Sequence, residues 1–463
     1  HRVRPARLFG LDRRHLVGSG LALAAGAAAV ASGPRSATAE ASGDGLGVNA
    51  IDLGLLADAD ADQSEEFARA WQFAVQARRP LLLPPGRYRV ANVTMPAGGR
   101  LTGVPGASVL ASAGDGPLLV ARGAADLAIG GVVLDGAGGA LAAGEGDGLM
   151  SFSDCAGVRI RDVAFRDSTG NGLSLRRSSG VVSDCVFSGC AETALFCLDG
   201  AGLDIVHNRI AGIGNNGIRI WRSEPGEDRG TVTANRIERI EARAGGSGQN
   251  GNGINIFRAA GVLVSGNTIA DCAFSAVRAN AASNCQIVGN ACYRLGEVAL
   301  YAEFAFEGVV IASNLVDQAA QGISVTNFND GGRLAVVQGN LIRNLVTRPD
   351  SEDRRGIGIS VEADCAVTGN VVEGAAEIGI LVGWQSYKRD VAVVGNLVRK
   401  AKIGIGISSD LGGGLVFVTQ NMIAGASQGG IRAMEKSIPV GPDLVRASPE
   451  AFPNLAVFAN VAT

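Results

Sequence analysis

Histidine and methionine are scarce in this sequence, with three His and four Met among 463 residues. The Met residues stand far apart along the chain, and His207 is the single His beyond the first 39 residues. A protein that carries or delivers a metal needs several such ligands close together. The composition therefore disfavours a metal-carrying role, and we predict neither a metal site nor a cofactor.

A basic excess and a long apolar run are also lacking. Lys and Arg total 41 against 44 Asp and Glu, a formal net charge of −3. Residues 1–39 hold six Arg and one Asp, so removing them takes away five positive charges and leaves −8. Nucleic-acid binding needs clustered positive charge, and a membrane-spanning helix needs about 20 apolar residues in a row. We therefore expect no nucleic acid partner and no stable membrane span.

The sequence has instead a repeat of 23 to 32 residues that is marked by asparagine. Each Asn has Ile or Val three positions before it and an apolar residue two positions after it. The nine that follow this pattern are Asn208, Asn235, Asn267, Asn290, Asn314, Asn340, Asn370, Asn396 and Asn421. Such a period is typical of stacked repeats. We expect each Asn to turn a corner in an unusual backbone conformation and to hydrogen-bond to the Asn of the next repeat.

A second motif, Gly-Ile-x-Ile or Gly-Ile-x-Val, recurs between the Asn residues, for example at Gly217–Ile220, Gly253–Ile256 and Gly322–Val325. Alternating β-branched residues predict short strands with one buried face. No segment within the repeats has the period and length of a crossover helix. Each strand must therefore pair in parallel with its counterpart one repeat away. The sequence thus predicts an all-β fold, a β-solenoid of about a dozen coils in one continuous domain.

The N-terminal segments are expected to differ from the repeats. Residues 1–39 combine paired Arg at 13–14, a mild apolar run and small residues at 37–39, which is the pattern of a twin-arginine signal peptide. Residues 40–100 are predicted to form an N-terminal cap with a helix at 63–79 and an initial strand.

We expect Asp62 and Glu65 to begin that helix in a capping-box-like arrangement. Residues 101–435 are then predicted to form the parallel β-helix. Residues 436–463, which are rich in Pro, are predicted to form a C-terminal cap or tail.

The segment Leu83-Pro84-Pro85-Gly86-Arg87-Tyr88, followed by Gly-Asn repeats, resembles the pectate-lyase-like superfamily of right-handed parallel β-helix proteins. Together with the export signal, the segments Trp221–Glu224, Gly248–Gly253 and Glu297–Gly308 resemble a family of twin-arginine-translocated repeat proteins of uncharacterised function. The resemblance implies a right-handed parallel β-helix that is periplasmic or secreted and is exported by the twin-arginine machinery. It implies no activity, because a fold does not determine a function.

Outward positions of the Gly-Ile-x-Ile strands should form columns along the solenoid. Aromatic rings and planar Arg side chains suit sugar rings and carboxylates. Arg clusters on a chain of negative charge indicate an acidic ligand. We therefore predict that this face binds a polysaccharide or oligosaccharide that contains uronates. The predicted substrate-binding residues are Trp221, Arg222, Asn255, Phe257, Arg258, Asn280, Glu362 and Trp384. Insertions at 242–252 and 348–355 are expected to form walls over the groove.

The same columns contain candidates for catalysis. Removal of a proton beside a uronate carboxylate needs a cation to stabilise the developing charge and a base within reach. We predict Arg219 and Arg278 as the cations, and Tyr301 and Glu303 as the proton-transfer groups. This set describes a polysaccharide lyase or epimerase.

Other mechanisms fit the columns less well. An inverting glycoside hydrolase needs two carboxylates about 6.5–9.5 Å apart. Glu303 and Glu362 are two coils apart, which places them about 9.6 Å from each other. Calcium-dependent lyase chemistry needs clustered carboxylates, which the columns lack. Because the sequence contains no recognised catalytic motif, a non-catalytic envelope protein that binds a glycan or another partner along the same face remains an alternative.

The eight Cys residues are predicted to be mostly free, buried thiols. No two of them fall in the same column of adjacent coils, and a core of this size needs no disulfides. The eight are Cys155, Cys185, Cys190, Cys197, Cys272, Cys285, Cys292 and Cys365. His207, which precedes one of the repeated Asn residues, is predicted to be a surface residue at a corner.

Overall fold

The computed structural model describes residues 47–141, 147–246, 248–348 and 355–463. These residues form three long sheets in which each strand pairs with the strands one coil before and one coil after it. The architecture is a right-handed parallel β-helix, as the sequence predicts. The described residues contribute 16, 15 and 15 strands to the three sheets, so there are more coils than the predicted dozen. The predicted signal peptide, residues 1–39, lies outside the described residues.

The first sheet holds the strands that precede the repeated Asn residues. Its strands are Val48–Asn49, Leu81–Leu83, Arg100–Gly103, Ala128–Gly130, Val158–Arg161, Gly180–Ser183, Leu203–Val206, Thr231–Thr233, Leu263–Ser265, Cys285–Val288, Glu307–Ala312, Arg333–Gln338, Ala363–Thr368, Arg389–Val394, Val416–Thr419 and Leu455–Phe458.

The second sheet holds the Gly-Ile-x-Ile strands. Its strands are Val93–Thr94, Leu119–Arg122, Gly148–Ser153, Asn171–Arg176, Thr193–Leu198, Asn216–Glu227, Asn252–Ala260, Val277–Asn280, Val298–Glu303, Gln321–Val325, Ile357–Val361, Ile378–Val382, Ile403–Ser408, Ile431–Glu435 and Ile438–Asp443. The last two of these strands pair antiparallel.

The third sheet holds the strands that follow the Asn residues. Its strands are Gly86–Val90, Ser108–Ser112, Val133–Asp135, Ala164–Arg166, Val186–Ser188, Arg209–Ile213, Arg236–Ile240, Thr268–Cys272, Ala291–Tyr293, Leu315–Asp317, Leu341–Leu345, Val371–Ala375, Leu397–Arg399, Met422–Ala424 and Val461–Ala462. Short 3₁₀ helices lie at Ile51–Leu53 and Phe328–Asp330.

The repeated Asn residues form a buried ladder at the corner between the first and third sheets. The side-chain amide of Asn314 donates to the side-chain oxygen of Asn340 at 3.0 Å and to the carbonyl of Ile287 at 2.9 Å. The ladder predicted from the sequence is confirmed, and Asn460 extends it by one further coil. The predicted backbone conformation is wrong. The residue before each Asn takes the left-handed conformation, as His207 does with φ of 58°.

The Gly of the Gly-Ile-x-Ile motif lets successive coils approach each other closely. A Cβ atom at Gly322 would lie 2.5 Å from the backbone oxygen of Gly358 and 2.5 Å from Cγ2 of Ile342. No side chain fits at such distances. The two Ile positions that follow Gly217 point into the core, where Ile218 and Ile220 are fully buried.

An α-helix at Ser64–Gln76 packs Phe67, Ala70, Trp71 and Ala74 into the core beside the first strands of the three sheets. The helix is shorter than the predicted 63–79. The predicted capping box is wrong. The N-cap residue is Gln63, whose side chain makes no capping bond, and Asp62 instead accepts from the backbone amide of Ser64 at 2.9 Å.

All eight Cys residues are buried and free, as predicted. Burial raises the pKa of the thiols of Cys185, Cys190, Cys285 and Cys292 to about 12. His207 is exposed at its corner, which confirms its predicted place.

Candidate functional site

Backbone register in the second sheet confirms the predicted columns. Arg219, Asn255, Arg278 and Tyr301 stand opposite one another on four successive coils. Trp221, Phe257, Asn280 and Glu303 form the neighbouring column. Side chains alternate across a strand, so both columns lie on the outer face of the second sheet, opposite the Ile residues of the core.

The insertion at 242–252 covers the first part of this outer face. The guanidinium of Arg219 donates to the side-chain oxygen of Asn250 at 2.6 Å, and the side-chain amide of Asn255 donates to the carbonyl of Gly248 at 3.1 Å. Arg219 and Asn255 are consequently buried, whereas the sequence predicts an open groove between walls. Ser247 of this insertion and residues 349–354 of the other one lie outside the described residues.

Aromatic and cationic side chains stack on one another next to the insertion 242–252. The indole nitrogen of Trp221 donates to Asn255 at 2.7 Å, and the guanidinium carbon of Arg219 lies 4.8 Å from the Trp221 ring centroid. The rings of Trp221 and Phe257 meet edge to face at 5.7 Å, and Arg258 lies over Phe257 at 4.8 Å. Ring faces and cations thus fix each other's orientation.

Arg222 and Arg258 also bind the protein's own backbone. The Arg222 guanidinium donates to the carbonyl of Glu227 at 2.9 Å, and that of Arg258 donates to the carbonyl of Ser223 at 2.7 Å. Both side chains therefore support the extended end of the strand Asn216–Glu227.

Arg278 and Glu303 form a buried bidentate ion pair. Arg278 Nε donates to one carboxylate oxygen of Glu303 at 2.6 Å and Nη2 donates to the other at 3.0 Å. Asn280 donates to the same carboxylate at 2.9 Å, and Glu303 is only 1% exposed. A carboxylate held on both oxygens is strongly oriented. Glu303, predicted from the sequence as a proton-transfer group, is thus held on both carboxylate oxygens by Arg278 and Asn280.

A second carboxylate and a second cation join this pair. Glu297 lies 3.4 Å from Arg278 Nη1 and 3.4 Å from Arg355 Nη2, while Arg355 also donates to Gln321 at 2.9 Å. Neither is among the site residues predicted from the sequence, because both lie outside the Gly-Ile-x-Ile motif, although Arg355 belongs to the insertion 348–355. Both contacts of Glu297 are longer than those of Glu303, so Glu297 is the more loosely held carboxylate.

Tyr301 lies close to both cations. The guanidinium carbons of Arg278 and Arg355 are 4.9 Å and 5.9 Å from its ring centroid. The side chain is 9% exposed. Burial, and then the charge of Glu303, raise the pKa of Tyr301 above its ordinary value. The phenol is therefore neutral and able to donate a proton.

Glu362 is buried near the same cluster, on the far side of Thr326. Its carboxylate accepts from the backbone amide of Phe328 at 2.7 Å and lies near that of Asn327, whose side chain is 3.5 Å from the Thr326 hydroxyl. Burial raises the pKa of Glu362 to about 7, against the opposing effect of these amides. A group with this pKa can give or take a proton near neutral pH.

Trp384 lies across a cleft from Arg355 and is 39% exposed, beside the similarly exposed Tyr387. In the part of the chain that the structure describes, no three His, Cys, Asp or Glu side chains are grouped so that they could hold a metal ion. Nor does any helix among the described residues have the length and apolar character needed to cross a membrane.

Residues 147–342 and 225–398 match the family model described as the right handed beta helix region. The two matches together span more than half of the sequence. The chain belongs to this family. No curated protein sequence matches it.

Solved structures share this β-helix. The N-terminal fragment of bacteriophage phi29 gene product 12 is similar with a TM-score of 0.62 at 14% identity, over 86% of this chain and 74% of the other. A PL6 alginate lyase in complex with a trisaccharide is similar with a TM-score of 0.51 at 14% identity, over 90% and 95% of the two chains. At such identities the likeness establishes the fold alone.

Proposed function

We propose that the outer face of the second sheet binds an acidic, uronate-containing polysaccharide and acts on it as a lyase or epimerase. One observation carries the proposal. Tyr301, a buried neutral phenol close to two guanidinium groups, lies on the same outer face as Glu362, a buried carboxyl group two coils away with a pKa of about 7. An alginate lyase is among the proteins that share the fold, so this scaffold is compatible with such chemistry.

In this proposal the two groups transfer protons in opposite directions. Ionised Glu362 removes the proton from the carbon beside the uronate carboxylate, and the electron pair left behind is delocalised into that carboxylate. In a lyase, Tyr301 gives its proton to the glycosidic oxygen as the bond to the neighbouring sugar breaks and a carbon–carbon double bond forms. In an epimerase, Tyr301 instead gives its own proton to the opposite face of the same carbon, and Glu362 keeps the proton that it removed.

Arg278 and Arg355 stabilise the negative charge that develops. Glu303 keeps Arg278 in place through its bidentate contact. The substrate carboxylate approaches the two guanidinium groups by displacing the long contacts of Glu297. Trp221, Phe257 and Asn280 would then contact sugars on one side of Tyr301, with Arg219, Asn255, Arg222 and Arg258 supporting that surface.

The test uses a panel of acidic polysaccharides. Lyase activity is followed by ultraviolet absorbance of unsaturated uronates, and epimerase activity by uptake of solvent deuterium into the polymer. We expect turnover on at least one polymer, with losses of about 10²-fold or more in Tyr301→Phe and Glu362→Gln. Tyr293→Phe, on the third sheet, is the matched control. Turnover that is unchanged in Tyr301→Phe would refute the assignment.

A non-catalytic glycan-binding protein is the second candidate. The closed ion pair of Arg278 with Glu303 and the burial of Tyr301 favour it, because both groups are satisfied without a ligand. It predicts binding to an acidic polymer without turnover, and equal affinity of the native protein and Tyr301→Phe.

We further propose periplasmic or extracellular localisation through the twin-arginine route. The support is the paired Arg at 13–14, followed by the apolar run and the small residues at 37–39. Fusion of residues 1–39 to a folded reporter should export it, and replacement of both Arg by Lys should stop export. Export that survives this replacement would contradict the proposal.

A further inference from the structure

Beyond Glu362, the outer face of the second sheet becomes apolar. Ile357, Ile378 and Ile403 stand opposite one another on three successive coils. With Leu381 and Met434 they form an apolar cluster that is separate from the core inside the coils. These side chains are therefore not needed to fill the interior of the β-helix.

The apolar cluster forms the floor of a cleft of 410 Å³. Three cations line it, Arg355, Lys402 and Lys436, together with one carboxylate, Glu377. Lys402 donates to Glu377 at 2.6 Å, so the formal charge of the lining is positive. Trp384 forms part of the wall and is 39% exposed. The volume lies within the range of small-molecule sites.

The shape and chemistry of the floor select one class of ligand. The three Ile residues run in a line of about 10 Å, which is two strand spacings. Their side chains are aliphatic and offer no hydrogen-bond partner, so sugar hydroxyl groups buried against them would be unsatisfied. A linear hydrocarbon chain fits such a track, and the surrounding cations suit a negatively charged head group.

We propose that this cleft binds a single-chain fatty anion. Its hydrocarbon lies along Ile357, Ile378 and Ile403, and its carboxylate meets Lys402 and Lys436. Arg355 lines this cleft and also belongs to the proposed polysaccharide site, but the probe that tests the inference contains no sugar, so its outcome is distinguishable from that of the polysaccharide assay.

The experiment titrates the full chain with 11-bromoundecanoate and follows tryptophan fluorescence, which bromine quenches at short range. The chain has three Trp, of which Trp384 lines the cleft. We expect saturable quenching that undecanoate reverses, that Trp384→Phe abolishes and that Trp221→Phe retains. Lys436→Glu, a surface change, should raise the dissociation constant for bromoundecanoate about fivefold.

Three results would overturn the proposal. The first is equal quenching in Trp384→Phe. The second is equally tight binding of a trimethylammonium amphiphile with the same chain length, since the cations should reject it. The third is displacement of bromoundecanoate by a short uronate oligosaccharide, which would make the cleft part of a glycan site.

Discussion

Replacing Asn314 by Ala should weaken the β-helix at the middle of its Asn ladder. The side-chain amide of Asn314 donates to Ile287 and Asn340, at 2.9 and 3.0 Å. Its side-chain oxygen accepts from the backbone and side-chain amides of Asn290, at 2.9 and 3.0 Å. The substitution removes all four hydrogen bonds and leaves the buried backbone amide of Asn290 without a partner.

The magnitude follows from these contacts. A buried hydrogen bond contributes about 0.5–1.5 kcal/mol, and a buried donor left unsatisfied costs about 1–3 kcal/mol. With about 0.7 kcal/mol for each of the other three bonds and about 2 kcal/mol for the unsatisfied Asn290 amide, the predicted loss in the free energy of opening this coil is about 4 kcal/mol. That corresponds to about a 10³-fold change in the opening equilibrium.

Amide hydrogen exchange is the appropriate assay, because a stacked repeat can open locally. The amide of Asn290 should exchange about 10³-fold faster in Asn314→Ala than in the native protein. Asn329→Ala, at an exposed position, should change the exchange rate of the Asn290 amide by less than about threefold. Comparable exchange of the Asn290 amide in both variants would refute the view that the ladder holds the coils together.

Three further predictions concern individual side chains. Glu297→Gln should bind acidic oligosaccharides about fivefold more tightly in calorimetry, since it removes a carboxylate that competes for Arg278 and Arg355; weaker binding would contradict this. Because the folded pKa of Glu362 is raised from 4.5 to about 7, the stability that its proton provides is complete below pH 4.5. It is lost as pH rises from about 4.5 to about 7, by about 3 kcal/mol. In Glu362→Gln, the free energy of unfolding by urea should change less between pH 4.5 and 7 than in the native protein. Parallel pH profiles of the two proteins would refute this prediction. Because all eight thiols are buried, a thiol reagent should label none in native protein and eight in urea; rapid native labelling would be inconsistent with the packing.

The fold and the columns of the outer face could be predicted because both follow from a repeated local pattern. Ile and Val at fixed distances from each Asn determine which side chains enter the core, and the period aligns the coils. The wrong prediction that each repeated Asn itself takes the unusual backbone conformation could have been corrected from the sequence. Gly precedes Asn267, Asn290, Asn340, Asn370 and Asn396, and Gly favours the left-handed conformation that this position takes.

The contacts of the site could not be predicted, because they depend on loops and corners with no repeated pattern. Arg219 is buried by Asn250, which belongs to an insertion. Glu297 and Arg355 reach Arg278 and Tyr301 from outside the regular strands. The pKa of Glu362 is raised by its burial, which depends on how the loop with the 3₁₀ helix Phe328–Asp330 packs over it, and the amides of that loop only partly oppose the effect.

Location of a bound substrate tests the central claim most directly. Crystals of Glu362→Gln soaked with a uronate oligosaccharide should show the chain on the outer face of the second sheet. One sugar carboxylate should lie within hydrogen-bond distance of Arg278 or Arg355, beside the Tyr301 hydroxyl. An oligosaccharide seated on the first or third sheet, or remote from Tyr301, would contradict the account.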